Sequence, residues 1–368
     1  MKNLKIQNLL SLEFKKSFCS LIERRTLDIP AIDISDFKSN PESCKQLVEC
    51  FEKYGVVVIK DPRVEESKNS EFLDVMEKYY ETVSQDFYNG YDLDDTRPES
   101  GHNIGVVPEG FEIARNHSET IKRNFSKERP LTQQPPPRDK KWRFAWNVGL
   151  YDEYGEGISG ENVIPKNFPN WEEKMNSWGF LMKDSVFTVS EMLARGYGMS
   201  PDTFTSKMEG GCQLLAPTGS DLSRYNTEGE ILAGFHYDLS FLTIHGKSRF
   251  PGLYIWLKDG RRYSVRIPDG CLIIQAAKQL EILTGGRILA GFHEVVVSED
   301  TLEAVEKAKE AKKSLWRVSS TMFSTINYRV VLEPLPKFAD HESVEKYPPI
   351  LCYDQVSQEL HAIGLLQD

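Results

Sequence analysis

From residue 231 onward the chain alternates. Tyr263, Val265 and Ile267 are set against Arg262, Ser264 and Arg266, and Asp259-Gly260 interrupts the pattern with a hairpin dipeptide. A period of two sends successive side chains to opposite faces of a strand, and Asp-Gly supplies the positive φ that a tight hairpin needs. Upstream the period changes. Residues 40–55, 68–87 and 170–197 have helical character, and in the last of these Trp171, Met175, Trp178, Met182 and Phe187 form the stripe of a buried face. Helices first and antiparallel strands after predict a mainly β fold with flanking helices: a double-stranded β-helix (jelly roll) core with helices packed on one side.

Within the alternating region, Phe235-His236-Tyr237-Asp238 is followed by a second histidine, His293, 57 residues after the first. On a strand, His236 and Asp238 would share a face, and a neighbouring strand could bring His293 to them. Two histidines and one carboxylate leave three positions of an octahedral metal open, which suits a non-heme Fe(II) centre that reacts with O2. A structural zinc site would close those positions. The six cysteines contain no CxxC pair, which argues further against a zinc ribbon or finger.

Composition limits the partners. Net charge is −10, from 45 basic and 55 acidic residues, with no basic cluster, so a nucleic-acid partner is disfavoured and a small-molecule substrate is the default. No apolar run reaches the ~18 residues needed to span a bilayer, so no membrane partner is expected. The N-terminal MKNLKIQNLLSLEFKKSF is interrupted by charge and makes a poor signal peptide. Free cysteines and an iron site point to a reducing, cytoplasmic setting, with the sequons at Asn116 and Asn124 silent, and a monomer is expected.

The segments FHYDLSFLTIHG, PGLYIWLKDGRRYSVRIPDGCLIIQAAKQLEILTGGRILAGFHEVVV, WRVSSTMF and VVLEPLP resemble the C-terminal half of the Fe(II)/2-oxoglutarate dioxygenases of the isopenicillin N synthase-like group. The matching positions are Thr243, Gly252-Leu253, Pro268 with Gly270, Leu280, Thr284 with Gly286, His293, Arg317 with Ser319, Phe323 and Pro334-Leu335-Pro336. Ile29-Pro30-Ala31-Ile32-Asp33-Ile34 and FEKYGVVVIKDPRV resemble that group's opening strand and first helix-to-strand passage, so the resemblance runs over roughly residues 28–337. It implies Fe(II) on His236, Asp238 and His293, with 2-oxoglutarate as co-substrate and O2 as oxidant. It also implies that Arg317 and Ser319 hold the far carboxylate of 2-oxoglutarate, a role that suits a guanidinium fork with a hydroxyl beside it. Some members of the group carry the same Arg-x-Ser pair without using 2-oxoglutarate, so an oxidase of that kind and a non-catalytic jelly-roll binding protein stand as alternatives.

The departures mark what is particular to this chain. Gln275-Ala276-Ala277-Lys278 stands where the group has Asn-x-Gly-Asp, Glu294 replaces an arginine, and Leu215-Ala216-Pro217-Thr218 replaces a tyrosine-bearing segment. Tyr225, Gln275 and Phe323 are therefore candidates for substrate or co-substrate contact, with Tyr237 and Phe241 weaker because alternation points them away from the ligands. SEDTLEAVEKAKEAKK, after His293, reads as an inserted helix over 299–313, capped by Ser298 or Asp300, with a Glu303/Lys307 pair and a solvated face preferred over a lid. The expected organisation is an N-terminal extension over 1–27 and a helical and mixed region over 28–200 with substrate loops at about 90–160. The catalytic jelly roll follows over 201–340 and a tail over 341–368. Gly155-x-Gly157-x-x-Gly160 lacks the strand-turn-helix context of a dinucleotide site, and His102 and His245 lie outside the ligand pattern.

Overall fold

The computed structural model describes residues 25–100, 103–125, 127–152 and 160–365. His102 and most of the Gly155–Gly160 loop lie outside them.

Two sheets make the core. The larger is ten-stranded and runs, edge to edge, through Trp316–Ser319, Thr218–Asp221, Trp142–Asn147, Gln213–Leu215, Met322–Ser324, Leu242–His245, Leu272–Ala276, Val56–Lys60 and Ala31–Asp33, with Gly105–Val107 added beside Trp142–Asn147. The smaller has the order Thr26–Leu27, Arg262–Val265, Leu253–Trp256, His293–Val296, Ile231–His236. The alternating region thus divides between both layers, which is the jelly roll expected. Thr26–Leu27, assigned above to an N-terminal extension, instead forms a parallel edge strand on Arg262–Val265.

Helices Pro41–Tyr54, Glu66–Tyr88 and Trp171–Gly196 pack together on the larger sheet. The apolar stripe of the third is core: Trp171, Met175, Trp178 and Met182 are buried, and Trp178 stacks on Phe72 at 5.6 Å between ring centroids. Phe187 is only half-buried, with Lys183 over its ring, and Val186 and Val189 take the inner positions. The first and third helices approach so closely that a Cβ on Gly196 would lie 2.4 Å from the Cys44 carbonyl oxygen. A glycine is required there by space alone.

The inserted helix spans Glu299–Glu310, and Ser298 is its cap: the Ser298 hydroxyl accepts from Thr301 N–H, and Thr301 Oγ1 accepts from Ser298 N–H. Its inner residues Thr301 and Val305 are buried, and Val305 packs with Leu222, Leu232 and Phe250 on the flank of the smaller sheet. Among the described residues its surface ion pair joins Glu306 and Lys309 rather than Glu303 and Lys307. Residues 341–365, most of the expected tail, are folded. They contain helix His341–Lys346, a strand Ile350–Leu351 paired with Val331–Leu332, and helix Cys352–Ala362, whose Val356 and Leu360 are buried.

Candidate metal centre and its cavity

Antiparallel pairing of Ile231–His236 with His293–Val296 puts His236 directly opposite His293. Cross-strand neighbours on one face have Cβ atoms about 5 Å apart, and the two imidazoles lie at 4.2 Å between centroids. Asp238 reaches them differently from the expectation. The strand ends at His236, and Asp238 sits in the segment beyond it, so strand parity does not place its carboxylate. Its Oδ1 is nonetheless 3.7 Å from His236 Nε2 and 4.0 Å from His293 Nε2, and one donor atom from each of the three residues lies within 4.8 Å of the others.

The surrounding bonds aim these donors. His236 Nδ1 lies 2.6 Å from the Gly234 carbonyl and His293 Nδ1 3.0 Å from that of Gly291. With a proton on each Nδ1, both Nε2 lone pairs turn toward Asp238. Thr243 donates to Asp238 Oδ2 at 2.7 Å, leaving Oδ1 on the histidine side. Hydrogen bonds of this kind fix tautomer and orientation at metal sites. Burial, with His293 close by, pushes His236 down to about 3, so its imidazole is neutral at physiological pH. The donor set therefore fits one divalent cation with nitrogen and oxygen preference and open positions.

The larger sheet supplies the opposite wall. Gln275, Thr243, Phe323 and Leu214 are paired across four adjacent strands, so one row of side chains faces the cavity opposite the triad. Gln275 Oε1 is buried there without a hydrogen-bond partner. Arg317 and Ser319 share the face of the edge strand Trp316–Ser319 and line the same cavity. Arg317 is buried, and its Nε donates to the Pro251 carbonyl at 3.0 Å. Among the described residues no carboxylate pairs with its guanidinium. Burial pushes it down to about 10, so it still carries its charge at neutral pH. A buried, charged fork without an anion is a site prepared for one. Ser319 Oγ lies 2.8 Å from Thr321 Oγ1.

Tyr225 is not brought to this site. Its hydroxyl donates to Glu109 at 2.8 Å, Lys140 lies over its ring, and it is absent from the cavity wall. Phe241 is in the core against Phe204. Conversely, Tyr237 lines the cavity, against the expectation; His245 also lines it, and as expected it lies on a strand and outside the ligand set. Alternation stops at His236, which frees Tyr237 to turn inward and donate to Glu359 at 3.0 Å. His245 shares the parity of Thr243 two residues earlier, and that signal was available in the sequence. Glu294, the departure beside the distal histidine, is buried and accepts from Leu131 N–H, Thr132 N–H and the Thr132 hydroxyl. Thr132 Oγ1 in turn accepts from Phe235 N–H at 2.8 Å, next to His236, so the middle loop is fastened to both ligand strands.

The cavity holds about 220 Å³. Besides the two sheets, its wall includes Glu112, Arg115 and Lys141 from the expected substrate-loop region and Val356, Glu359 and Leu360 from the C-terminal helix. None of the Glu299–Glu310 helix is part of it, so that helix is not a lid over the cavity.

Comparison with known proteins agrees with this architecture. Residues 212–325 match the sequence profile of the 2OG-Fe(II) oxygenase superfamily. A flavonol synthase/flavanone 3-hydroxylase of Petunia hybrida is 26% identical over 147 residues, which are 37% of this chain and 39% of that protein. 2-Oxoglutarate-dependent dioxygenase 11 of Oryza sativa subsp. japonica is 25% identical over 199 residues, 53% of this chain and 50% of that protein. The aligned regions thus span half or less of these curated relatives. Among solved structures, a full-length Neurospora crassa protein in complex with alpha-KG superposes with a TM-score of 0.70 at 19% identity, covering 92% of this chain and 99% of that one. A 2OG-Fe(II) oxygenase family protein of Caulobacter crescentus gives 0.66 at 20% identity, covering 91% and 99%. Fold and triad together define a jelly roll built around a two-histidine, one-carboxylate site. Over residues 212–325 the chain resembles the 2OG-Fe(II) oxygenase superfamily, whose members use Fe(II), 2-oxoglutarate and O2. No helix among the described residues is long and apolar enough to cross a membrane.

Proposed function

We propose that this chain is an Fe(II)- and 2-oxoglutarate-dependent oxygenase that oxidises an unactivated C–H bond of a small molecule, by hydroxylation, desaturation or ring closure. The observation that carries the reading is the placement of a buried guanidinium with no acid partner in the same cavity as the three converging metal donors. In this reading His236, Asp238 and His293 hold the iron, and Arg317 with Ser319 holds the far carboxylate of 2-oxoglutarate. When bound, Fe(II) with 2-oxoglutarate and O2 supplies an oxidant strong enough to break a C–H bond, with 2-oxoglutarate leaving as succinate and carbon dioxide.

The protein's share is positioning and exclusion of water. The Gly234 and Gly291 carbonyls keep the two imidazoles in one tautomer, and Thr243 keeps the Asp238 carboxylate from rotating. Gln275, with its oxygen unpartnered beside Thr243, is placed to touch the bound small molecules, and Phe323 covers the same wall. The C-terminal helix closes the opposite side through Val356 and Leu360.

The test is an anaerobic titration of the Fe(II)-loaded protein with 2-oxoglutarate, read by the visible charge-transfer band of the chelate. The band is expected only with both components, and Arg317→Ala should need far more 2-oxoglutarate to produce it. Bound iron with no band would favour an oxidase that does not use 2-oxoglutarate, and failure to bind iron at all would favour a non-catalytic jelly roll.

A further inference from the structure

One region of the cavity wall takes no part in that reading. Arg143 lies on Trp142–Asn147 opposite Thr218, and Thr218 lies opposite Ser319, so the three form one row on one face of the larger sheet. All three line the cavity. At about 4.8 Å per strand, Arg143 stands roughly two strand spacings from Ser319. Its Nε is 2.9 Å from Glu112 Oε1, a charge contact whose alignment leaves both atoms without a hydrogen-bond partner, and Nη2 is likewise buried and unpartnered. Lys141 takes the other Glu112 oxygen at 3.1 Å and Asp139 at 2.6 Å. Burial alone would raise the Glu112 carboxyl, but Arg143 and Lys141 outweigh it and hold it at about 2. The cluster thus presents Arg143 Nη2 without a partner beside an ionised carboxylate whose Oε1 accepts no hydrogen bond.

The charges of the cavity give a second, independent observation. Arg115 pairs with Glu359 at 2.9 Å, Lys141 with Asp139, and Arg143 with Glu112, while Asp238 and Arg317 stand singly at the metal and co-substrate positions. Among these guanidiniums, ammonium and carboxylates, four cations balance four anions. The double charges of Fe(II) and of 2-oxoglutarate then cancel each other. A charged substrate would leave a charge without a counterion in a desolvated site, which is strongly unfavourable.

We infer that the prime substrate is an uncharged small molecule with a carbonyl acceptor beside an N–H or O–H donor, such as a lactam, imide or amide edge, read by Arg143 and Glu112 together. This rests on the proposed iron and 2-oxoglutarate reading, and it assigns Arg143 and Glu112 the role of substrate recognition. Arg143 donates to the carbonyl and Glu112 accepts from the adjacent donor, which satisfies the three atoms left unpartnered in the cluster.

The experiment measures dissociation constants of matched probes, phthalimide and benzamide against phthalate and benzoate, by ligand-observed NMR on the full chain loaded with Zn(II) and 2-oxoglutarate. The uncharged members should bind at least tenfold more tightly than the acids. Glu112→Gln, nearly isosteric, removes one negative charge and should move the preference tenfold or more toward the acids, a change that a merely structural role would not produce. The double variant Glu112→Leu/Arg143→Met keeps the charge sum at zero and should weaken the uncharged probes at least tenfold while the acids stay weak. Acids that bind wild type as tightly as the amides, amides that do not bind, or a preference unmoved in Glu112→Gln would each overturn the inference. The Fe(II)–2-oxoglutarate band, measured in parallel without any probe, separates the two readings: its presence with no discrimination removes only the substrate assignment, and its absence removes the iron and 2-oxoglutarate reading beneath it.

Discussion

Replacing Arg317 by methionine should weaken 2-oxoglutarate binding while making the unliganded protein more stable. The stem of the side chain is conserved in length, so packing changes little, and the charge disappears. Burial alone lowers the guanidinium from 12.5 to about 10. At ~1.36 kcal/mol for each tenfold change, that is roughly 3 kcal/mol against the charged form in the fold. The sign follows from proton binding: the unfolded chain holds this proton more tightly, so the penalty is fully present below pH 10 and fades as the pH approaches 12.5. Against the gain stands the lost hydrogen bond to Pro251, worth ~1 kcal/mol, leaving about 2 kcal/mol. For a chain of 368 residues, the unfolding entropy per residue makes this a rise of roughly 2–3 °C in Tm. With 2-oxoglutarate and metal present the order should reverse, because truncating one member of a buried charge pair costs about 2–5 kcal/mol, a loss in affinity of roughly 30-fold or more. Thermal unfolding of both proteins, with and without Zn(II) and 2-oxoglutarate, reads both effects. A Tm for unliganded Arg317→Met several degrees below wild type would refute the reasoning, since it would mean that the guanidinium stabilises the fold itself.

Three further outcomes are expected. Thr243→Val removes the Thr243 hydrogen bond to Asp238 Oδ2 and should weaken Fe(II) or Co(II) binding by about 10–100-fold, measured by metal titration, with little change in unfolding midpoint. Glu294→Ala leaves the Thr132 hydroxyl and two loop N–H groups without their acceptor and should cost about 3 kcal/mol or more, read by urea denaturation; a shift under 1 kcal/mol would show that the loop rearranges freely. Gly196→Ala forces a methyl to within 2.4 Å of the Cys44 carbonyl oxygen and should destabilise by about 1–3 kcal/mol in the same assay, despite alanine's better helix propensity.

Much of this was legible in the sequence because it depends on local periodicity. The long helices fall within about two residues of their expected bounds, since Trp171, Met175, Trp178 and Met182 repeat at a helical interval regardless of what they pack on. The triad was legible from spacing, although strand parity misplaced Asp238 and, with it, Tyr237: parity holds only while the backbone is extended, and extension ends at His236. Tyr225 shows the opposite failure. It is near His236 in sequence, but the Thr218–Asp221 strand and the turn after it carry it to Glu109. Arg143, Glu112 and Lys141 could not be found this way, because their meeting depends on the pairing of Trp142–Asn147 with Thr218–Asp221 and on a loop of irregular sequence. The C-terminal helix had ordinary helical signals, yet its place over the cavity comes from tertiary contacts alone.

The row Arg143, Thr218, Ser319 works as a ruler. Loops can lengthen and side chains can be exchanged, but hydrogen-bonded strands stay about 4.8 Å apart. On the proposed roles of Arg143 and Ser319, the separation between the polar anchors of the two small molecules is therefore available only in whole strand steps. An altered substrate that needed an intermediate reach would have to be met by changing the length of a side chain on the row, and the sheet itself would not stretch to it.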